Sequence, residues 1–336
     1  MSSTATTSNI PRITILGSLN TDLVAYVPHH PLPGETLTAT SFMTSPGGKG
    51  ANQAVACAKL SRPRSLSSPS AHVSMVGAVG SDSNGDMLLH NLQTHGVDSS
   101  LVTKLPNQKT GIAMIVVEAE TGQNRIIISG EANHSVGEEY VTAGGWLEKT
   151  DLLIMQLEVP MGTVVRAVGE AKARGVDVLL NPAPARVLPE GVYRGLKHLV
   201  VNETEAAILG GVEERELDTM EGLERVGRMF LEKGVENFIA TLGGRGVFYL
   251  TREGGEEKRG LVEAERGVRV VDTTGAGDTF VGRYALDAVR ARKEGEGGEG
   301  GRFDIEGAVR RANKAAAVTV QREGAAASIP WRDEVE

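Results

Sequence analysis

The segment Val270-Val-Asp-Thr-Thr-Gly-Ala-Gly-Asp-Thr-Phe280 ends an extended run and passes through small residues into a helical pattern. Gly275, Ala276 and Gly277 leave backbone N–H groups unshielded where that helix opens. These donors and the helix dipole favour an anion such as a phosphate, and they would stabilise charge developing on a phosphoryl group in transfer. Asp278 follows in the first helical turn. Its carboxylate would lie beside the anion hole and could accept a proton from an attacking hydroxyl. An isolated Asp at this position would read as a helix cap. The flanking glycines, the upstream Asp272 and the segments below favour a base.

Several other segments carry polar groups at the ends of extended runs. In Ser45-Pro-Gly-Gly-Lys-Gly-Ala-Asn-Gln-Ala-Val55, Gly47 and Gly48 let the backbone approach a hydroxylated ligand closely, while Lys49 and Asn52 open a helix and offer donors. Taken alone this is a turn, and it is not a Walker A loop, because Gly50 follows Lys49. Asn20 and Asp22, in Gly17-Ser-Leu-Asn-Thr-Asp22, lie past the first strand at its carboxyl end, where open α/β sheets bind ligands. We expect a bend between them if both are to reach one molecule. Glu158 ends another such run, Met155-Gln-Leu-Glu158. Each of the three could be a cap or a surface residue; together, at strand ends, they suggest a polyol site, since carboxylates accept from adjacent hydroxyls. Asn202-Glu-Thr-Glu205 opens a helix and also reads as a capping box. Thr241-Leu-Gly-Gly-Arg-Gly246 reads as a tight turn between two strands.

The elements that would position these groups alternate. Arg12–Gly17, Val73–Val79, Leu152–Gln156, Val176–Leu180, His198–Val201 and Phe238–Thr241 are short β-branched or apolar runs; Lys49–Leu60, Pro160–Arg174 and Met220–Lys233 have helical periodicity. The pattern predicts an α/β fold, an open Rossmann-like and mostly parallel central sheet with helices on both faces. Two stretches break the rhythm, about 21–45 and 110–128, the second with a hairpin signal around Thr121-Gly-Gln-Asn124. They predict a small protruding β-sheet lid whose Ala113 and Ile115 meet the substrate. A tail over residues 1–11, one domain over 12–336, and surface loops at 61–70 (Ser/Pro-rich) and 294–301 (Gly/Glu) complete the expected organisation.

Asp272-Thr-Thr-Gly-Ala-Gly-Asp278 resembles the C-terminal signature of the ribokinase family of carbohydrate kinases, and Ser45–Val55 resembles its first glycine motif. The resemblance runs in order from about Ile13 to Trp331. It implies ATP-dependent transfer of phosphate to O5 of D-ribose, with Asp278 as base and Gly275, Ala276 and Gly277 as anion hole. Asn20, Asp22, Gly47, Gly48, Lys49, Asn52 and Glu158 would hold the sugar. Asn202, Thr241, Gly243, Gly244, Gly246, Gly277 and Asn313 would line the ATP site, and Glu205 would organise Mg2+ through water. Asp272, Ser328 and the carbonyls of Val270, Thr274, Thr319, Arg322 and Gly324 would hold K+ or another monovalent cation. The family also implies a homodimer through the lids.

Bulk properties fit and exclude. With 35 basic and 43 acidic residues the net charge is −8, against a nucleic-acid or anionic-membrane partner. One cysteine, Cys57, allows no internal disulfide and fits a reducing cytoplasm or nucleus. No stretch approaches the ~20 apolar residues of a membrane span. Three rivals remain open: another sugar or nucleoside as acceptor, a catalytically silent sugar binder, and a nicotinamide oxidoreductase. Few lid aromatics beyond Tyr26 and Phe42 disfavour a nucleoside, and Gly17-Ser-Leu-Asn20 lacks the dinucleotide G-x-G-x-x-G turn.

Overall fold

The computed structural model describes residues 10–253, 255–296 and 303–336; the expectations for residues 1–9 and 297–301 lie outside these. The chain opens with β1 (Arg12–Leu16), whose Ile13, Ile15 and Leu16 are fully buried. It leaves the main sheet for β2 (Asn20–Val27) and β3 (Ser41–Gly47), and helix α1 (Lys49–Leu60) brings it back. One edge is then built from β4 (His72–Gly80), α2 (Ser83–Thr94) and β5 (Asp98–Leu105). A hairpin follows, β6 (Gly111–Glu118) and β7 (Asn124–Ser129). From α3 (Glu139–Thr142) onward strand and helix alternate: β8 (Leu152–Met155), α4 (Met161–Ala173), β9 (Asp177–Leu180), α5 (Glu190–Tyr193), β10 (His198–Asn202), α6 (Glu203–Gly210), α7 (Met220–Glu232) and β11 (Asn237–Thr241). A second hairpin, β12 (Val247–Glu253) and β13 (Glu256–Val262), precedes two long helices, α8 (Ala276–Glu296) and α9 (Ile305–Thr319).

The main sheet has the order β13-β12-β11-β10-β9-β8-β1-β4-β5. Its seven strands from β11 to β5 are parallel, and β12 and β13 add an antiparallel edge. Strands apolar on both faces need cover on both. Ile13 and Ile15 of β1 join a core with α1, α8 and α9, while Leu16 joins another with α4 and α7. The chain leaves β1 toward β4 and leaves β8 toward β9, in opposite directions along the sheet. The two connections therefore part at the carboxyl ends of β1 and β8, opening the crevice where such sheets bind ligands.

Helices α1 and α8 pack on one face at very short range. A Cβ at Gly282 would stand 2.5 Å from Ala56 Cβ and 2.8 Å from the Cys57 nitrogen. The small-residue run Ala54–Ala58 is thus the surface on which α8 rests. Cys57 is fully buried there, and burial pushes its thiol up to about 12, which leaves it unreactive.

The small sheet has the order β3-β2-β6-β7. Its first strand begins at Asn20, one residue before the expected start. Among the elements that the sequence pattern did not mark are β5, whose Asp98-Ser-Ser-Leu-Val-Thr-Lys-Leu105 lacks a clean apolar alternation, α2, and the edge strand β13, rich in charge.

Candidate active site

Glu158 sits just beyond β8, directly across the crevice from the end of β1. Its Oε2 accepts from Ser18 Oγ at 2.5 Å, from the Lys49 backbone N–H at 3.1 Å and from Asn20 Nδ2 at 3.4 Å. One carboxylate oxygen thereby ties the β1–β2 link to the start of α1. Asn20 is fixed from its other end: its Oδ1 accepts from Asn133 Nδ2 at 2.8 Å, and Asn133 also grips the backbone of Leu19 in both directions.

The expected bend between Asn20 and Asp22 does not occur. Both lie in the regular strand β2, opposite Gly47 and Ser45 on one side and opposite Gly111 and Ala113 on the other. Alternate residues of a strand share a face, so two side chains separated by one residue already point the same way. Ala113, opposite Asp22, and Ile115, opposite Val24, extend that face. The glycines of the first motif make room for it. A Cβ at Gly47 would meet the Asp22 carboxylate at 2.2 Å, and Gly48, with φ +89°, would place one 2.6 Å from the Asn20 nitrogen.

Asp278 lies in the first turn of α8 and is 9% exposed. Asn52 Nδ2 donates to its Oδ2 at 3.1 Å and Gln53 Nε2 to its Oδ1 at 3.0 Å, both from α1. Gly275, at φ +77°, turns the chain into the helix, and Thr279 N–H closes on its carbonyl at 2.8 Å. The Ala276 N–H turns back to the Thr273 carbonyl at 3.2 Å, while among the described residues no protein acceptor meets the N–H of Gly275 or Gly277. Apart from its chain neighbours and the backbone of its own helix, nothing among the described residues lies within 4 Å of a Cβ built on Gly277. The space before the helix N-terminus is open.

Two clefts meet there. One, of about 410 Å³, is lined by Gly243, Gly244, Val268, Asn313 and Ala317, mostly apolar and glycine surface. The other, of about 220 Å³, is lined by Lys49, Asn202, Glu205 and Asp278. Thr241, Thr273 and Gly277 border both. An elongated molecule with an uncharged planar end and an anionic end fits the pair, its anionic end at the α8 N-terminus. Asn313 also donates to the Glu263 carbonyl at 3.0 Å, which fixes one wall of the larger cleft.

Four carboxyl groups share this space with one ammonium. Burial raises Asp278, opposed by Lys49 and by the donors Gln53 and Asn52. Burial together with Glu158 and Asp278 pushes Asp22 up to about 7. Glu205 is raised by burial against the pull of the Asn202 N–H and Lys49. Burial alone would lower Lys49, but Asp278, Glu158, Glu205 and Asp22 outweigh it and hold the ammonium above its ordinary value. Lys49 is therefore charged, and the site around it is electronegative.

Asn202 and Glu205 do form the capping box, with Oδ1 accepting from the Glu205 N–H at 2.7 Å and Glu205 Oε2 from the Asn202 N–H at 2.9 Å. Glu205 nevertheless lines the smaller cleft, so the structural and the functional placements coincide. Near the α8 N-terminus, Asp272 joins two segments. Its Oδ1 accepts from Thr274 N–H at 2.9 Å and Thr274 Oγ1 at 2.6 Å, and its Oδ2 from Gly324 N–H at 2.9 Å. The Val320 carbonyl accepts from Val271 and Asp272 N–H groups, and buried Ser328 donates to the Ala325 carbonyl at 2.7 Å. The two segments expected to hold a monovalent cation are thus side by side. Among the described residues no group of three or more His, Cys, Asp or Glu could hold a metal ion. A divalent cation here would take most of its ligands from substrate phosphates and water.

Sequence reasoning missed Ser18, Gln53, Asn133, Gln156 and Asn181, all of which hold the groups above. Gln53 adjoins Asn52 and faces the same carboxylate; its position inside the glycine motif was the available signal. Ser18 and Gln156 lie within the strand-end segments Gly17–Asp22 and Met155–Glu158, whereas Asn133 and Asn181 lie in no recognised pattern.

A family model described as "pfkB family carbohydrate kinase" matches residues 11–332. A protein of Schizosaccharomyces pombe named ribokinase is 42% identical over 328 residues, 96% of each chain. A deoxyribokinase of Salmonella typhimurium is 36% identical, covering 95% of each. The solved structure of Arabidopsis thaliana ribokinase with ribose and ATP superposes with a TM-score of 0.81 at 29% identity, covering 97% of each chain.

Asp22 gives a test of the site's electrostatics. Between its ordinary value of 3.8 and about 7, the unfolded chain ionises this group while the folded chain keeps it protonated. Asp22 therefore lowers stability progressively as pH rises through that window. The Asp22→Asn variant should melt close to wild type at pH 4 and several degrees above it at pH 8. An equal shift in melting temperature at both pH values would contradict this.

Proposed function

From the premise that the chain belongs to the pfkB family of carbohydrate kinases, we propose that it transfers the γ-phosphate of ATP to O5 of D-ribose, giving D-ribose 5-phosphate and ADP. The observation that carries this is the position of Asp278: one buried carboxylate at an open helix N-terminus, where a nucleotide-shaped cleft and the Asn20–Asp22–Glu158 crevice meet.

ATP lies with its base and ribose in the larger cleft, between the Gly243–Gly244 turn and Asn313, and its phosphates run past Thr241 and Thr273 to Gly277. The sugar hydroxyls bind Asn20, Asp22 and Glu158 under Ala113 and Ile115. The small sheet acts as the lid. Asp278 takes the proton of O5 as the O5–Pγ bond forms and the bond from Pγ to the β,γ-bridging oxygen breaks, so the proton ends on the enzyme and the charge on ADP. Free N–H groups of Gly275 and Gly277 stabilise the equatorial oxygens. Lys49 supplies the nearest positive side chain.

A polyphosphate entering a site with four carboxyl groups and one ammonium needs added positive charge. Mg2+ would supply it, and Asn202 and Glu205, which line the smaller cleft, would hold it through its water ligands. Exposed carbonyls beside a carboxylate suit a hard monovalent cation; Asp272 and the 319–328 segment would hold K+, next to the anion hole.

A second reading keeps every step and takes 2-deoxy-D-ribose as acceptor, favoured by the deoxyribokinase relative. A silent sugar binder would have no use for a buried carboxylate facing an open anion site. We place a second copy of the chain on the outward face of the lid, where Phe42, Met114 and Ile127 are 62%, 44% and 63% exposed.

Replacing Asp278 by Asn should lower kcat by roughly 10²–10⁴ with KM for ATP little changed; activity kept within about tenfold would remove the base. Sedimentation equilibrium should give twice the chain mass of 35.5 kDa, falling to one chain in an Ile127→Lys variant. A monomeric wild-type protein would contradict the lid interface.

A further inference from the structure

Behind Asp278 runs a chain of buried amides that the phosphoryl-transfer scheme does not use. Gln53 Nε2 donates to Asp278 Oδ1 at 3.0 Å and to Asn181 Oδ1 at 3.0 Å. Asn181 Nδ2 donates to the Val200 carbonyl at 2.9 Å, and Gln156 Nε2 donates to Gln53 Oε1 at 2.6 Å. Gln53 and Gln156 are both 0% exposed.

The direction of every bond follows from one end. The Val200 carbonyl, within β10, can only accept, so Asn181 must present its NH2 there and its oxygen to Gln53. Gln53 must then turn its own NH2 toward Asn181. Its two hydrogens are divided between Asn181 and Asp278, and its oxygen is left for Gln156. The side chain of Gln53 therefore cannot flip. Oδ1 of Asp278 therefore always faces the Gln53 donor, while Oδ2 accepts from Asn52 at 3.1 Å. Gln156 leaves its Oε1 buried without a partner. A buried acceptor without a bond is unfavourable, and packing alone would be served by Leu or Met.

We propose that Gln53, aligned by Gln156 and Asn181, is a positioning residue for the base: its bond to Oδ1, with that of Asn52 to Oδ2, fixes the plane of the Asp278 carboxylate and leaves the second lone pair of Oδ2 to receive the sugar hydroxyl's proton. The proposal rests on Asp278 being the base. Without the Gln53 bond the carboxylate would rotate and would more readily hold a proton in its resting state. The charged groups facing it are Lys49 of α1, Glu158 beyond β8, Asp22 of β2 and Glu205 of α6. Lys49 alone favours the ionised form, and the Gln53 and Asn52 donors add to it against burial.

The test is the pH profile of sugar phosphorylation in Gln53→Met, which keeps the length and removes the donor. The acid limb of kcat/KM for the sugar should move up by about one pH unit, since a hydrogen bond to the charged form is lost. At neutral pH kcat should fall at least tenfold, with KM for ATP unchanged. Gln156→Met, one bond further away, should move the limb in the same direction by less, and it decides the matter if Gln53→Met does not fold. Reduced activity with an unmoved acid limb would show a merely structural role and overturn the proposal. An Asp278→Asn enzyme that stays active within tenfold, measured alongside, would remove the base itself, which is a separate failure.

Discussion

A carboxylate buried at a helix N-terminus must be held by donors from a second element, and among the described residues that demand is met by α1 alone. Asn52 and Gln53 reach Asp278 only because α1 and α8 lie close, with Gly282 set against Ala56 and the Cys57 backbone. The small residues of α1 serve this approach. Interiors are close-packed, so a larger side chain at Gly282 would separate the base from both amides as well as strain the helix pair. Most other features follow from where this puts Asp278: it lies at the N-terminus of α8, lining the smaller cleft, which shares Thr241, Thr273 and Gly277 with the larger one.

Charge is the second organising quantity. Asp22, Glu158, Glu205 and Asp278 stand around Lys49, and burial makes Asp22, Glu205 and Asp278 resist ionisation. That resistance raises the proton affinity of the base, which suits abstraction from an alcohol. It also makes the empty site less stable than a neutral one, and under the proposed function bound sugar and metal-complexed phosphate would relieve that. Closure of the small sheet would strengthen these interactions by removing water.

The parallel core and the helices flanking it were legible because short apolar runs and the period of 3.6 survive in the sequence. Helix Lys49–Leu60 has the observed bounds. Strands β5 and β13 were not, because edge strands carry charge and short polar residues whose pairing is decided by neighbours. At the site, glycines and acids at strand ends could be read because their neighbours require them: the φ of Gly275, the carboxylate against Gly47. Gln156, Asn181 and Asn133 could not. Buried amides of this kind take their meaning from partners more than a hundred residues away, and one-dimensional spacing holds no trace of that. The misplaced bend between Asn20 and Asp22 came from local geometry: residues two apart in a strand are neighbours on one face.

Sugar phosphorylation at a primary hydroxyl is the central claim, and product analysis tests it most directly. The purified protein with ATP, Mg2+ and K+ should form ADP only when D-ribose is added, and proton-coupled phosphorus NMR should place the new phosphate on C5, split by two protons. Absence of ribose-dependent ADP, or a phosphate on the anomeric or a ring carbon, would contradict the account.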